Sequence, residues 1–266
     1  MIRKSKLTAL AIATTAALAL TACSSGGGKA ADTASGAAGG GNAAGSADMT
    51  VVMITHQAPG DTFWDIIRKG AEAAAKNTGV TLEYTNDPDA TKQAQLVQAA
   101  IDKKVAGIAV TDPNTGALGD SIKKAVAAGI PVSMFNAGGT DAMSLGAIGY
   151  FGQAESDAGL AVGKRLVTDG AKNAICVIQE QGQQQLEDRC AGVAKGAEGV
   201  KVERIYVDGR NDSAQVTTLQ AKFTQDPSID YVVTLGAPFA LNASKAIEAA
   251  GSKAKLGTFD TSKIAR

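Results

Sequence analysis

The side chains able to do chemistry are few, and their placement narrows what the chain can do. His56 is the one histidine and Trp64 the one tryptophan, and aromatic residues make up 4% of the 266 positions. Phe63 and Trp64 stand side by side after the first apolar run, with Asp61 just ahead of them. An adjacent aromatic pair offers flat apolar faces for stacking, and a nearby carboxylate accepts hydrogen bonds. The competing reading makes both rings core residues of a helix facing a sheet. His56 follows the same run and could line a cleft or serve as a structural loop residue. A nucleophile with its base is not legible: there is no GxSxG, HExxH or Walker loop, and no second histidine. Gly26-Gly27-Gly28 and Gly138-Gly139 lack the GxGxxG spacing of a dinucleotide loop. The residues favour a binding protein over an enzyme, with no cofactor implied.

Cysteine use points outside the cytoplasm. Cys23 ends the string Leu20-Thr21-Ala22-Cys23, preceded by a short apolar stretch and a basic start of Arg3, Lys4 and Lys6. This is the pattern of an exported leader, too short to cross a bilayer comfortably. It resembles the bacterial lipobox, in which cleavage before the cysteine leaves a thiol that carries diacylglycerol. The expectation is therefore a lipoprotein signal over 1–22 and a lipidated Cys23 that holds the chain to a membrane. Residues 24–47 are almost only Gly, Ala and Ser, with no large apolar side chain to bury, so 23–48 reads as a flexible tether. In an oxidising compartment the remaining pair, Cys176 and Cys190, forms either a disulfide or two buried thiols. Without a CxxC spacing or partner histidines the pair makes no zinc site. Basic and acidic residues number 26 each, and losing the basic leader leaves the mature chain slightly acidic. Nucleic acid, which calls for a basic patch, is not an expected partner.

From about Met49 onward, short β-branched runs alternate with helical patterns. Strands are expected over 51–54, 80–85, 105–111 and 130–136, with helices from Phe63, over 89–104 behind an Asp89 cap, and over 117–128. The small residues Ala137-Gly138-Gly139-Thr140 read as a hinge, which divides the folded part into lobes 49–138 and 139–266. The rhythm then resumes with strands over 147–151, 174–179, 202–207, 231–235 and 256–259. Between them lie helices over 155–168, 184–196, 213–225 behind Asp212, and 241–250. Repeated βαβ units imply parallel sheets with helices on both faces. The fold class is α/β, two doubly wound parallel-sheet domains in succession. Ligands of such sheets bind beyond the carboxyl ends of the strands, and here that means a cleft between the domains. Asp112, Asn211 and Gly236 also stand at strand ends, where caps and turns are the plainer reading.

Several placed features resemble the type I periplasmic binding proteins, the ribose/galactose-type solute receptors of ABC importers. They are Phe63-Trp64, Gly107-Ile108-Ala109-Val110, Gly129-Ile130-Pro131-Val132 leading to Phe135-Asn136, Glu180-Gly182 with Arg189, and Gly257-Thr258-Phe259-Asp260. The resemblance implies a sugar or polyol ligand, an ABC permease as partner, an extracytoplasmic monomer, and a clamp that closes on its solute. It assigns hydroxyl contacts to Asn136, Arg189 and Asp260, beside stacking by Phe63 and Trp64 and a weaker acceptor at Asp61. Many relatives carry an acidic residue and arginine where this chain has Asn136-Ala137, a less charged arrangement. The family pattern continues well past the segment ending in Asp260, whereas this chain has six further residues, so it reads as truncated. Two rivals share the fold. A LacI-type effector domain would carry a DNA-binding segment in front, where this chain has an export leader. A sensory lipoprotein that feeds a kinase or chemoreceptor would use the same cleft.

Overall fold

The computed structural model describes residues 49–260; the expected leader, lipidated Cys23 and tether lie outside them. The first lobe is built from β1 (Thr50–Thr55), α1 (Phe63–Thr78), β2 (Thr81–Asn86), α2 (Ala90–Asp102), β3 (Gly107–Val110), α3 (Thr115–Ala127), β4 (Val132–Phe135) and β5 (Gly149–Phe151). All pairings are parallel and the strand order is β2-β1-β3-β4-β5. Alternation decides which side chains form the core. Val52, Ile54, Ile108, Val110, Val132 and Met134 point to one face, where Val97 and Ala100 of α2 and Leu118 and Ile122 of α3 cover them.

The second lobe comprises α4 (Glu155–Thr168), β6 (Asn173–Ile178), α5 (Gln184–Gly196), β7 (Lys201–Tyr206), α6 (Asp212–Gln225), β8 (Tyr231–Thr234), α7 (Ala237–Ala249) and β9 (Lys255–Thr258). Its parallel sheet runs β7-β6-β8-β9. The central strands β6 and β8 are buried along their whole length. One face packs Ala174, Cys176, Ile178 and Val233 against α4 and α5. The other packs Ile175, Val177 and Val232 against α6 and α7. A disulfide joins Cys176 of β6 to Cys190 of α5.

Three expectations are corrected. The division at Gly138 and Gly139 falls inside the first lobe, because β5 beyond it pairs with β4. That segment is a packed turn: a Cβ on Gly138 would stand 2.7 Å from the Asp112 Cβ, and Ala142 and Leu145 behind it are buried. The chain passes between lobes over residues 152–154, between β5 and α4. The cap of α6 is Asn211, whose side-chain oxygen accepts from the Ala214 N–H; Asp212 lies in the first turn. Helix α7 starts at Ala237, ahead of the expected 241, because Pro238 is pre-set for a first turn. Asp89 caps α2 as expected, accepting from the Thr91 and Lys92 N–H groups.

Candidate binding cleft

In the first sheet the connections diverge between β1 and β3, and in the second between β6 and β8. The crevice beyond the carboxyl ends at these two points is where an open α/β sheet can receive a ligand. Beyond β1 stands His56, fully enclosed, and beyond β3 stand Thr111 and Asp112, also buried. The Thr111 hydroxyl lies 3.2 Å from the His56 backbone N–H and 2.8 Å from its Nδ1. Gln93 of α2 donates to Thr111 as well. His56 Nε2 then meets the amide nitrogen of Gln185 in the other lobe at 3.3 Å. An amide nitrogen only donates, so Nε2 accepts and the imidazole proton sits on Nδ1. Burial pulls the His56 pKa down to about 3, which keeps the ring neutral. A second contact between lobes runs from the Gln184 N–H to the Pro113 carbonyl at 3.0 Å. The N-terminus of α5 is thus the part of the second lobe that seats on the first.

Of the sequence-expected residues Asp61, Phe63, Trp64, Asn136, Arg189 and Asp260, none lines either of the two spaces beside this seam, and each has its own surroundings. Asp61 accepts from the Phe63 N–H at 3.0 Å, so it secures the start of α1. Trp64 is only 2% exposed, wedged edge-on among His56, Phe63 and Phe135 at centroid distances of 4.8, 5.3 and 6.5 Å. Phe63, 42% exposed, is the ring of the pair that remains open. Asn136 takes a left-handed backbone (φ 61°), a conformation asparagine tolerates better than most residues, and its carbonyl accepts from the Tyr150 hydroxyl.

Arg189 is buried rather than solvated. Its Nε donates to Glu155, its Nη1 to the Leu235 carbonyl at 3.1 Å, and its guanidinium lies 5.0 Å from the Phe259 ring centre. The pair with Glu155 depends on how closely α4 and α5 approach. A Cβ on Gly159 would overlap the Arg189 carbonyl, and one on Gly192 would overlap that of Ser156. Only glycines let the two backbones meet this way. Asp260 is half-buried; burial raises its pKa and Arg189 counteracts the rise.

Sequence reasoning underweighted Asp112 and missed Gln179, Gln185 and Glu155. Asp112 Oδ1, Gln179 Oε1 and Gln185 Oε1 are buried acceptors without a hydrogen-bond partner. Two spaces flank the seam. One of about 450 Å³ is lined by Pro88, Gln179, Glu180, Gln183, Asp208 and Arg210 among others. The other, of about 400 Å³, has Asp112, Tyr150, Glu155 and Gln185 in its wall. Gln179 and Gln185 stand where the strand-end rule points, and the glutamine-rich stretch 179–185 directly after β6 was the available signal for them.

Residues 51–266 match the family described as periplasmic binding protein domain. The chain belongs to that family. Its fold is the type I form, with two parallel-sheet lobes and the crevice between them. A carbohydrate transporter from Acidothermus cellulolyticus 11B, solved in complex with myo-inositol, is 55% identical with a TM-score of 0.78. That match covers 80% of this chain and 74% of the other. The ABC sugar transporter (periplasmic sugar binding protein) of Legionella pneumophila is 22% identical, covering 82% and 83% of the two chains at a TM-score of 0.75. A solute-binding protein from Burkholderia graminis C4D1M, in complex with D-arabinose, is 22% identical with a TM-score of 0.73, covering 83% and 78%. No curated protein matches the chain in sequence. Among the described residues no helix is long and apolar enough to cross a membrane.

Proposed function

We propose that this periplasmic binding protein is the substrate-binding lipoprotein of an ABC importer, taking a cyclitol or sugar into the cleft between its lobes. The observation that carries the reading is the set of unpartnered buried acceptors at the seam, Asp112 Oδ1, Gln179 Oε1 and Gln185 Oε1. Buried acceptors are costly unless a donor reaches them, and a polyhydroxylated solute brings a ring of O–H donors. The 55% identity to a transporter solved with myo-inositol makes inositol the first solute to test.

In this reading Asp112 joins Asp61, Phe63, Trp64, Asn136, Arg189 and Asp260 around the ligand. Phe63 supplies the open apolar face with Trp64 packed behind it, and Arg189 offers the fork nitrogen left after Glu155 and Leu235 are bonded. Contacts made by both lobes favour the closed state, which the permease then recognises. The leader over 1–22 is removed, lipid on Cys23 anchors the protein outside the membrane, and 23–48 acts as its tether.

A thermal-shift and calorimetric panel of myo-inositol, pentoses and hexoses tests the proposal. Ligand at about 100-fold excess over Kd stabilises the folded protein by about 2.7 kcal/mol. A shift with one solute that Asp260→Ala and Trp64→Ala both diminish supports the receptor and its site. A folded protein that responds to no polyol or sugar rejects it.

A further inference from the structure

The space of about 400 Å³ beside the seam has an unusual wall. Five carboxylates line it, those of Asp112, Asp141, Glu155, Asp157 and Asp188, and no lysine, arginine or histidine does. Arg189 stands behind it and is held by Glu155 and the Leu235 carbonyl. Asp112 is fully buried: its Oδ2 accepts from the Thr115 hydroxyl at 2.8 Å, and its Oδ1 has no partner. The nearby Asp141 carboxylate adds to burial in holding the Asp112 pKa above its ordinary value. Gln185, 6% exposed, donates to His56 and to Gln183 while its Oε1 is left without a partner. A buried carboxylate without a counter-charge is costly, and a bound cation relieves it.

The cation is not a metal by this geometry. Among the described residues no group of three or more His, Cys, Asp or Glu side chains is arranged to hold one. An ammonium on an organic ligand needs no such cage. It brings three N–H donors, no acceptor and a full charge, matching a wall that offers buried acceptors, whereas a hydroxyl brings one donor together with lone pairs.

We infer that, granted the polyol-receptor reading on which this rests, the preferred ligand is an amino-substituted cyclitol or sugar whose ammonium faces Asp112 and Gln185. Calorimetry on the full chain compares matched pairs that differ by one amine for one hydroxyl: scyllo-inosamine against scyllo-inositol, D-glucosamine against D-glucose, and D-galactosamine against D-galactose. Titrations at about pH 6.5 keep the amines charged. At least one amine should bind about tenfold tighter than its hydroxyl partner, and the advantage should shrink in Asp112→Asn, which keeps the shape and removes the charge. Neutral polyols binding as tightly as their amines, or tighter, overturn the ammonium preference and leave the receptor reading standing. An amine advantage undiminished in folded Asp112→Asn overturns the assignment to this wall. Failure of both series to bind the folded protein overturns the receptor reading and the inference together.

Discussion

His56 and Gln185 join the two lobes through a single hydrogen bond, the Gln185 amide nitrogen lying 3.3 Å from the imidazole Nε2. The two residues are 129 positions apart in the chain, and each is the buried end of its own network. Gln185→Ala removes this cross-lobe side-chain donor and leaves the Gln184–Pro113 backbone contact and the β1–β3 wiring through Thr111 in place. A buried hydrogen bond is worth about 0.5–1.5 kcal/mol net, so ligand affinity should fall roughly threefold to tenfold with little change in melting temperature. Calorimetry with the best solute of the panel measures it; unchanged affinity means that the bound state does not use this contact.

The buried pair of Arg189 and Glu155 should be asymmetric under mutation. Arg189→Ala strands the Glu155 carboxylate, and breaking a buried pair from one side costs about 3–5 kcal/mol. Replacing both partners by leucine should recover much of that loss. Urea unfolding of the two variants checks the ordering, and a single variant as stable as the double would contradict it.

Close packing of α4 on α5 predicts intolerance at small residues. In Gly192→Ala the new methyl overlaps the Ser156 carbonyl and approaches the Gly159 Cα, so the helices must separate. Overpacking of this kind costs about 1–3 kcal/mol. Gly170→Ala, which has open space around it but a φ of 79°, should lose stability through backbone strain alone and leave the helix pair intact. Thermal unfolding, with ligand binding as a second readout, separates them: Gly192→Ala should also weaken binding because α5 carries Gln185 and Arg189.

The Cys176–Cys190 bond closes a short loop between β6 and α5, a sequence separation of 14. Loops of that size yield about 3 kcal/mol from restriction of the unfolded chain. The variant with both cysteines changed to alanine should melt roughly 6–12 °C lower, the range expected for a domain of this size. A melting temperature within a degree or two of the parent would show that packing alone holds α5.

Buried His56 and half-buried Glu180 set opposite pH slopes. His56 has its pKa lowered from 6.5 to about 3, so its contribution is complete above pH 6.5 and is lost as pH falls toward 3. Glu180 is raised from 4.5 to about 7, chiefly by burial and then by Asp61, so its contribution is present below 4.5 and is lost as pH rises through 7. Between 4.5 and 6.5 the two trends oppose each other, and stability should vary little from these groups. Glu180→Gln removes one of them, and unfolding free energy measured across that window should then rise with pH. A profile identical to the parent would exclude Glu180 as a titrating group.

Much of the architecture was legible because βαβ repetition writes itself into local pattern. The strand β1, the helices α4 and α5, the Asp89 cap and the doubly wound class all follow from apolar periodicity and turn residues acting over a few positions. The boundary between lobes was not legible. Flexible-looking glycines at 138 and 139 fit a packed turn as well as a hinge, and only the pairing of β5 with β4 decides between them.

The cleft divides the same way. The sequence by itself determined which loops follow the strand ends, since those are a matter of chain order, and it named Asp61, Phe63, Trp64, Asn136, Arg189 and Asp260 as candidates on or near them; none of the six lines either of the two spaces. Tertiary structure alone decided what each side chain does. Asp61 ties down α1, Trp64 is walled in by three rings, and Arg189 reaches Glu155 because glycines let two helices touch. The unpartnered oxygens of Asp112 and Gln185 come from different lobes, one from the loop after β3 and the other from the first turn of α5. Hydrogen-bond satisfaction and desolvation depend on every neighbour in space, and adjacency along the chain carries almost none of that information.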